Sequence, residues 1–184
     1  MTDSMLALMQ RHGYAGTGLN AVLEHSGAPK GSMYFHFPGG KEELGVHAVA
    51  LAGEQWAQLI KGCLDVDRSA ELEAVLGTAM DAMAELMVAS DYAAGCPVSV
   101  VTLEMGNESE ALRSACIDAY DSWVSLVEEF LIRRGVQDAR QLASASVSLI
   151  EGALIISRAR RSPEPLRDAG KSLVALLRSA EKGL

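Results

Sequence analysis

Two short helical patterns, "GLNAVLEH" (18–25) and "PKGSMYFHF" (29–37), are separated only by Ser26, Gly27 and Ala28. A glycine turn between helical patterns this short suits helix-turn-helix packing, and no strand pattern precedes it. In the first segment Leu19, Val22 and Leu23 share a face, Thr17 can cap the start, and Gly27 ends it. Pro29 suits the first position of the second segment, because its fixed φ is already helical and its missing N–H would have no partner there. In front of the pair, Met5, Leu6, Leu8 and Met9 start a stripe that stops at "HGY", with Gly13 as the expected C-terminal cap.

After "PGG", an amphipathic helix is predicted from Lys41 to about Cys63, carrying Leu44, Val49, Leu51, Trp56, Leu59 and Ile60. Further helices are predicted at roughly 69–90, 98–106, 109–134, 138–160 and 163–182. Gly135 closes one of them, Asp138 caps the next, and Ser162 with Pro163 opens the last. Aromatic residues make up only 5% of the 184, while Ala, Leu and Met are abundant. That balance favours helices. The expected fold is all-α: a three-helix head over residues 1–45 and a helical body over residues 46–184.

The net charge of −8 is unfavourable for binding nucleic acid over the whole surface. The first 47 residues are nearly balanced, with Arg11, Lys30 and Lys41 against Asp3, Glu24, Glu42 and Glu43, and they hold all four histidines. The three cysteines, Cys63, Cys96 and Cys116, are widely spaced and suggest neither a disulfide framework nor a zinc site. An acid stands where a signal peptide would carry its basic end. The longest uncharged apolar stretch, 92–103, is too short to span a bilayer. The expectation is a cytoplasmic protein with no membrane partner, no metal and no cofactor.

The glycines around 26–44 admit three chemical readings. A Walker loop fails, because Phe35 stands where its first glycine belongs and Glu42 where the magnesium-binding hydroxyl belongs. "GTGLNA" satisfies G-x-G-x-x-A, but that motif has meaning only after a strand, and "MLALMQRHGY" has helical spacing. The helix-turn-helix reading uses the unusual residues together. Ala28, Gly31 and Ser32 are small enough to let the second helix approach base edges, and Tyr34, His36 and Lys41 offer donors to phosphates. Tyr34, Phe35 and Phe37 could otherwise be core of a small domain, an alternative that suits Phe37 best. No H-E-x-x-H, nucleophile elbow or paired cysteine suggests an enzyme.

The stretch "GYAGTGLNAVLEHSGAPKGSMYFHFPGGKEEL" resembles the DNA-binding head of the TetR family of bacterial repressors. With "GCPVSVVTLEM" and "EGALIISRARR" further on, the chain is similar to the family's branch of lincomycin-resistance and flavonoid-responsive repressors. The resemblance implies phosphate contacts from Thr17, Tyr34, His36 and Lys41, and base-facing positions at Pro29, Lys30, Gly31 and Ser32. It also implies a double-stranded operator, a small apolar effector, and a homodimer formed through roughly residues 138–160 and 163–182. Family members carry a longer first helix preceded by a basic arm, so attraction to phosphate is expected to be modest and salt-sensitive in this chain.

In the body, Met80, Met83 and Met87 recur on one helix face. Trp56, Met105, Tyr120, Trp123, Phe130 and Phe35 are the other large groups that could meet beneath the head. Such residues form either plain core or the wall of an effector cavity lined by thioethers and indoles. The candidate effector contacts are Trp56, Met80, Met83, Met87, Met105, Tyr120 and Trp123. Glu151 interrupts "SVSLIEGALII" and needs an arginine such as Arg158, a backbone donor or a polar ligand. Ala143, Ser146, Ala153 and Ser157 are expected to allow close approach between helices of two chains.

Overall fold

The computed structural model describes residues 1–66, 70–93 and 95–181. Among them the helices run α1 (Thr2–Gly16), α2 (Leu19–Ser26), α3 (Lys30–His36), α4 (Gly40–Leu64), α5 (Leu72–Ala89), α6 (Pro97–Met105), α7 (Glu110–Arg133), α8 (Ala139–Arg160) and α9 (Glu164–Glu181), with no strand. The fold is all-α, as the periodicity predicts. From α6 onward the predicted boundaries agree within one residue. The exception is the predicted end at Lys182, which lies outside the described residues, as does the predicted start of α5 at Ser69.

The chain forms two compact units. The first joins residues 1–55 to 96–120, and the second joins 56–95 to 121–184. Both α4 and α7 are uninterrupted helices that contribute to each unit.

In the first unit α1 packs on α6 and on α2. Met5, Met9, Val22, Met33, Leu44 and Leu112 are fully buried. Gly13 breaks the helical path of α1 with φ 73°, a left-handed conformation that costs glycine little. A Cβ there would collide with the Glu104 carboxylate, which would have to move away. At Gly45 the constraint is one of distance. A Cβ would lie 2.5 Å from Tyr14 Cε2 and 3.3 Å from Leu112 Cδ2, so the absence of a side chain lets the Tyr14 ring pack against α4.

The core of the second unit is built from Leu64, Leu72, Val75, Leu76, Val124, Phe130, Leu131, Leu173 and Leu177. Helix α9 packs against both α5 and α8. After α5 the chain turns through Asp91 and Tyr92, both at positive φ. Arg161 ion-pairs with Asp91 and lies over the Tyr92 ring.

Several local expectations are corrected. Thr17 does not cap α2: Gly18 holds that position, and the Thr17 hydroxyl donates to Gly13 O at 2.7 Å. Pro29 is the residue before α3 rather than its first, with ψ 143°. Asp138 precedes α8 in a left-handed conformation, and its side chain makes no capping bond. Phe35 is 81% exposed instead of meeting other aromatics beneath the head.

The small residues of α8 also face the other way. Ala143, Ser146, Ala153 and Ser157 are buried within the chain itself, while Leu149, Ile155 and Ile156 are exposed. Small side chains allow α8 to pack closely against its own neighbours, which leaves the branched residues outside. By length and composition alone α8 is apolar enough to cross a membrane, with a mean hydropathy of 1.4.

Candidate functional site

Two features stand out, one in each unit. The first is the pair α2–α3. Each helix is anchored by one fully buried residue, Val22 on α2 and Met33 on α3. Gly27 ends α2 in the left-handed conformation, and its N–H donates to Glu24 O. Ser26 Oγ fixes the turn from inside, donating to Leu23 O at 3.2 Å and accepting from Ala28 N at 3.3 Å. The consequence is a short helix with one side held and the rest presented outward.

That outward surface holds most of the positions predicted to meet DNA. Pro29, Lys30, Gly31, Tyr34 and His36 are exposed, and Ser32 is half-buried. A Cβ on Gly31 would meet nothing within 4 Å, so the helix surface there is bare. Phe37 is half-buried with its ring edge-on to His47 at 5.4 Å between centroids. Thr17 is not part of this surface. It is buried and bonded to Gly13 O, so its side chain holds the α1–α2 turn.

Lys41 is engaged within the protein. Its Nζ sits 4.4 Å from the centre of the Tyr14 ring and donates to Ala15 O at 3.4 Å. Partial burial holds its pKa below the usual lysine range, against the opposing pull of Glu104. The start of α4 is partly used as well. Glu43 reaches back to accept the Gly39 N–H at 2.8 Å, which neutralises an end that would otherwise attract anions. Glu42 accepts from Ser109 Oγ at 2.5 Å. Burial, and after it the negative charge of Glu42, raise the Tyr14 pKa.

The second feature is an apolar cavity of about 70 Å³ inside the second unit. Trp56 and Trp123 face each other across part of its wall, their rings 6.1 Å apart and tilted by 47°. Of the candidate effector contacts, Met80 and Met83 also line it. Met87 does not; it is buried in the core on α5. Met105 and Tyr120 are not in the wall either, and both belong to the first unit. Helical spacing brought Met87 into the prediction, but its burial is directed elsewhere. Residue type alone brought in the other two.

The lining residues outside the candidate contacts are the helical neighbours of those found, and Phe130 among them is one of the large groups that the sequence already marks. Ile60 and Cys63 follow Trp56 at i+4 and i+7, and Val127 and Phe130 follow Trp123 at the same spacing. Extending each stripe from its tryptophan would have found them. Burial pushes the Cys63 thiol up. Glu151 is the one carboxylate among the described lining residues, beside Ser146 and Ile150. No group of three or more metal-binding side chains occurs among the described residues.

Comparison with known proteins bears on both features. The family model "Bacterial regulatory proteins, tetR family" matches residues 2–48, and "Transcriptional regulator LmrA/YxaF-like, C-terminal domain" matches residues 72–172. The HTH-type transcriptional regulator LmrA of Bacillus subtilis is 36% identical over 175 residues, covering 93% of this chain and 91% of the relative. The HTH-type regulator Rv0196 of Mycobacterium tuberculosis is 34% identical over 184 residues, covering 96% and 92%. YxaF of Bacillus subtilis is 34% identical over 173 residues, covering 93% and 90%. Among solved structures, a regulatory protein TetR from Rhodobacter sphaeroides superposes with a TM-score of 0.83 at 23% identity, covering 95% of each chain. The reduced form of Escherichia coli NemR gives 0.80 at 21% identity, covering 94% of this chain and 93% of that one. At those identities the structural likeness concerns the fold.

Proposed function

Because this chain belongs to the TetR family of bacterial regulatory proteins, with a C-terminal domain of the LmrA/YxaF-like kind, we propose that it is a cytoplasmic repressor that binds a palindromic operator as a homodimer and is released by a small apolar effector. Its family and relatives are transcriptional regulators, not enzymes. The observation that carries the reading is the anchored α3, buried at Met33 and bare at Gly31.

In this reading residues 1–45 form the DNA-binding head, and residues 46–184 bind effector and partner. Pro29, Lys30, Gly31 and Ser32 approach base edges, while Tyr34, His36 and Lys41 meet phosphates. Lys41 must first leave the Tyr14 ring and Ala15 O. Thr17 contributes by fixing the turn on which these residues ride. Leu149, Ile155 and Ile156 on α8 and Leu176 on α9 supply an exposed apolar face for a two-fold contact. Such a dimer sets two reading helices one DNA turn, or a multiple of it, apart.

The cavity supports release because of its size. About 70 Å³ is small against the several hundred occupied by drug-sized ligands. An effector lined by Trp56, Trp123, Met80 and Met83 must therefore push its walls apart, and methionine side chains yield readily. The enlarged state binds effector better, and α4 carries the change because it continues without a break from cavity wall to head.

Footprinting on DNA upstream of the protein's own gene tests the proposal. A protected palindrome whose affinity falls steeply with salt is the expected outcome, and binding indifferent to salt would contradict it. The docked Lys41 favours one second reading, a helical small-molecule-binding or adaptor dimer without productive DNA binding. Lys41→Ala and Tyr34→Ala should abolish operator binding under the first reading and change nothing under the second.

A further inference from the structure

The surface of α3 holds a residue that the hydrogen-bonding account of DNA recognition leaves unused. Phe35 is 81% exposed, the most exposed large hydrophobic side chain among the described residues. An isolated exposed apolar residue needs no explanation, but this one is placed in a particular way. Met33, the residue that anchors α3, lies nearly opposite on the helix, about 160° away at 100° per residue. Phe35 therefore points where the helix has the least protein behind it. One turn earlier on the same side stands Gly31, whose missing side chain leaves the surface open. Helical side chains lean toward the N-terminus, so the phenyl ring leans over that bare turn. The neighbouring His36 ring meets it edge-on, at 5.0 Å and 88°, and steadies it from the other side.

A phenyl ring offers no hydrogen bond. In the major groove the only apolar landmark is the 5-methyl group of thymine. We propose that Phe35 is a specificity-determining residue that packs against a thymine methyl in each operator half-site, with Gly31 providing the space for that base edge. The assignment rests on the proposed DNA-binding function of α3 and adds what the helix selects for: a thymine at a fixed place, recognised by contact rather than by hydrogen bonding.

Uracil differs from thymine only by that methyl, which gives the test. A duplex is selected by the full-length protein from a randomised pool, then resynthesised with deoxyuridine at one thymine position at a time. For the wild-type chain, one symmetric pair of positions should show a loss of about fivefold in affinity per methyl removed, the scale of one buried methyl group. Phe35→Ala removes the contact in both half-sites, so it should bind the unmodified duplex with a loss of about 25-fold and show no further loss on deoxyuridine. Phe35→Leu, which retains an apolar side chain, should still discriminate. The side chain is almost wholly exposed, so all three proteins should share one thermal midpoint.

A wild-type protein that selects a duplex but is indifferent to every deoxyuridine overturns the Phe35 assignment and leaves DNA binding intact. The same holds if Phe35→Ala discriminates as well as wild type. If no duplex is selected at all, the DNA-binding reading fails and takes the assignment with it.

Discussion

The Glu104 carboxylate accepts the backbone N–H of Ala15 at 2.9 Å, across 89 residues of sequence. It thereby ties α6 to the end of α1, immediately before the α2–α3 pair. The contact depends on Gly13, where any Cβ would displace the carboxylate. Gly13→Ala should therefore destabilise the fold by about 1–3 kcal/mol, from left-handed strain together with the displaced acceptor. Glu104→Ala should cost less, about 1 kcal/mol, because the bond lies near the surface. Thermal or urea unfolding of both variants checks the order.

Gly45→Ala tests the packing of Tyr14 on α4. An added methyl 2.5 Å from the Tyr14 ring forces one of them to move, with a cost of roughly 1–3 kcal/mol. Because Lys41 rests on the same ring, a displaced Tyr14 should also free Lys41. DNA affinity, measured at a temperature where the variant is folded, should then be maintained or improved.

The helix-turn-helix was legible in the sequence because its determinants are local: Gly27 stops one helix and Pro29 precedes the next within three residues. The outward direction of Phe35 was not, because a seven-residue helix with Met33, Tyr34 and Phe35, followed at once by Phe37, offers several apolar faces, and only the packing of Met33 decides between them. The cavity was half legible. Spacing found Met80 and Met83, whereas Met105 and Tyr120 were grouped by size without any periodicity to place them. The Glu104–Ala15 bond had no local sequence signal, since its partners meet only through tertiary packing.

Cys63 reports on the cavity chemically. Burial raises its pKa, so little thiolate exists at neutral pH, and reaction with iodoacetamide should be slow and accelerate as pH rises through and beyond the ordinary thiol range. Cys96 and Cys116 are more deeply buried and should react later, on unfolding. A molecule that occupies the cavity should shield Cys63, a result that mass spectrometry of the alkylated protein would resolve.

Trp123 is 2% exposed and faces Trp56, so the emission of the folded protein should be blue-shifted and respond to an effector. Ala79→Leu, directed into the same space, should blunt that response and the release of DNA while sparing DNA binding itself. A variant that still releases normally would argue against this cavity as the effector site.

Ile155 and Ile156 are about half exposed on α8. Replacing both with glutamate should leave the monomer fold unchanged by circular dichroism yet shift sedimentation from dimer to monomer. Affinity for a palindrome should fall by orders of magnitude, because the two half-sites would no longer be bound as one.

The first compact unit is assembled from two separate stretches of chain, with α6 and the start of α7 returning to complete what α1 begins. The reading head is therefore not a detachable cartridge. A transplant ending at residue 45 would leave Glu42 without Ser109 and Ala15 without Glu104. Chimeric regulators that borrow this specificity will need to bring residues 96–120 with them.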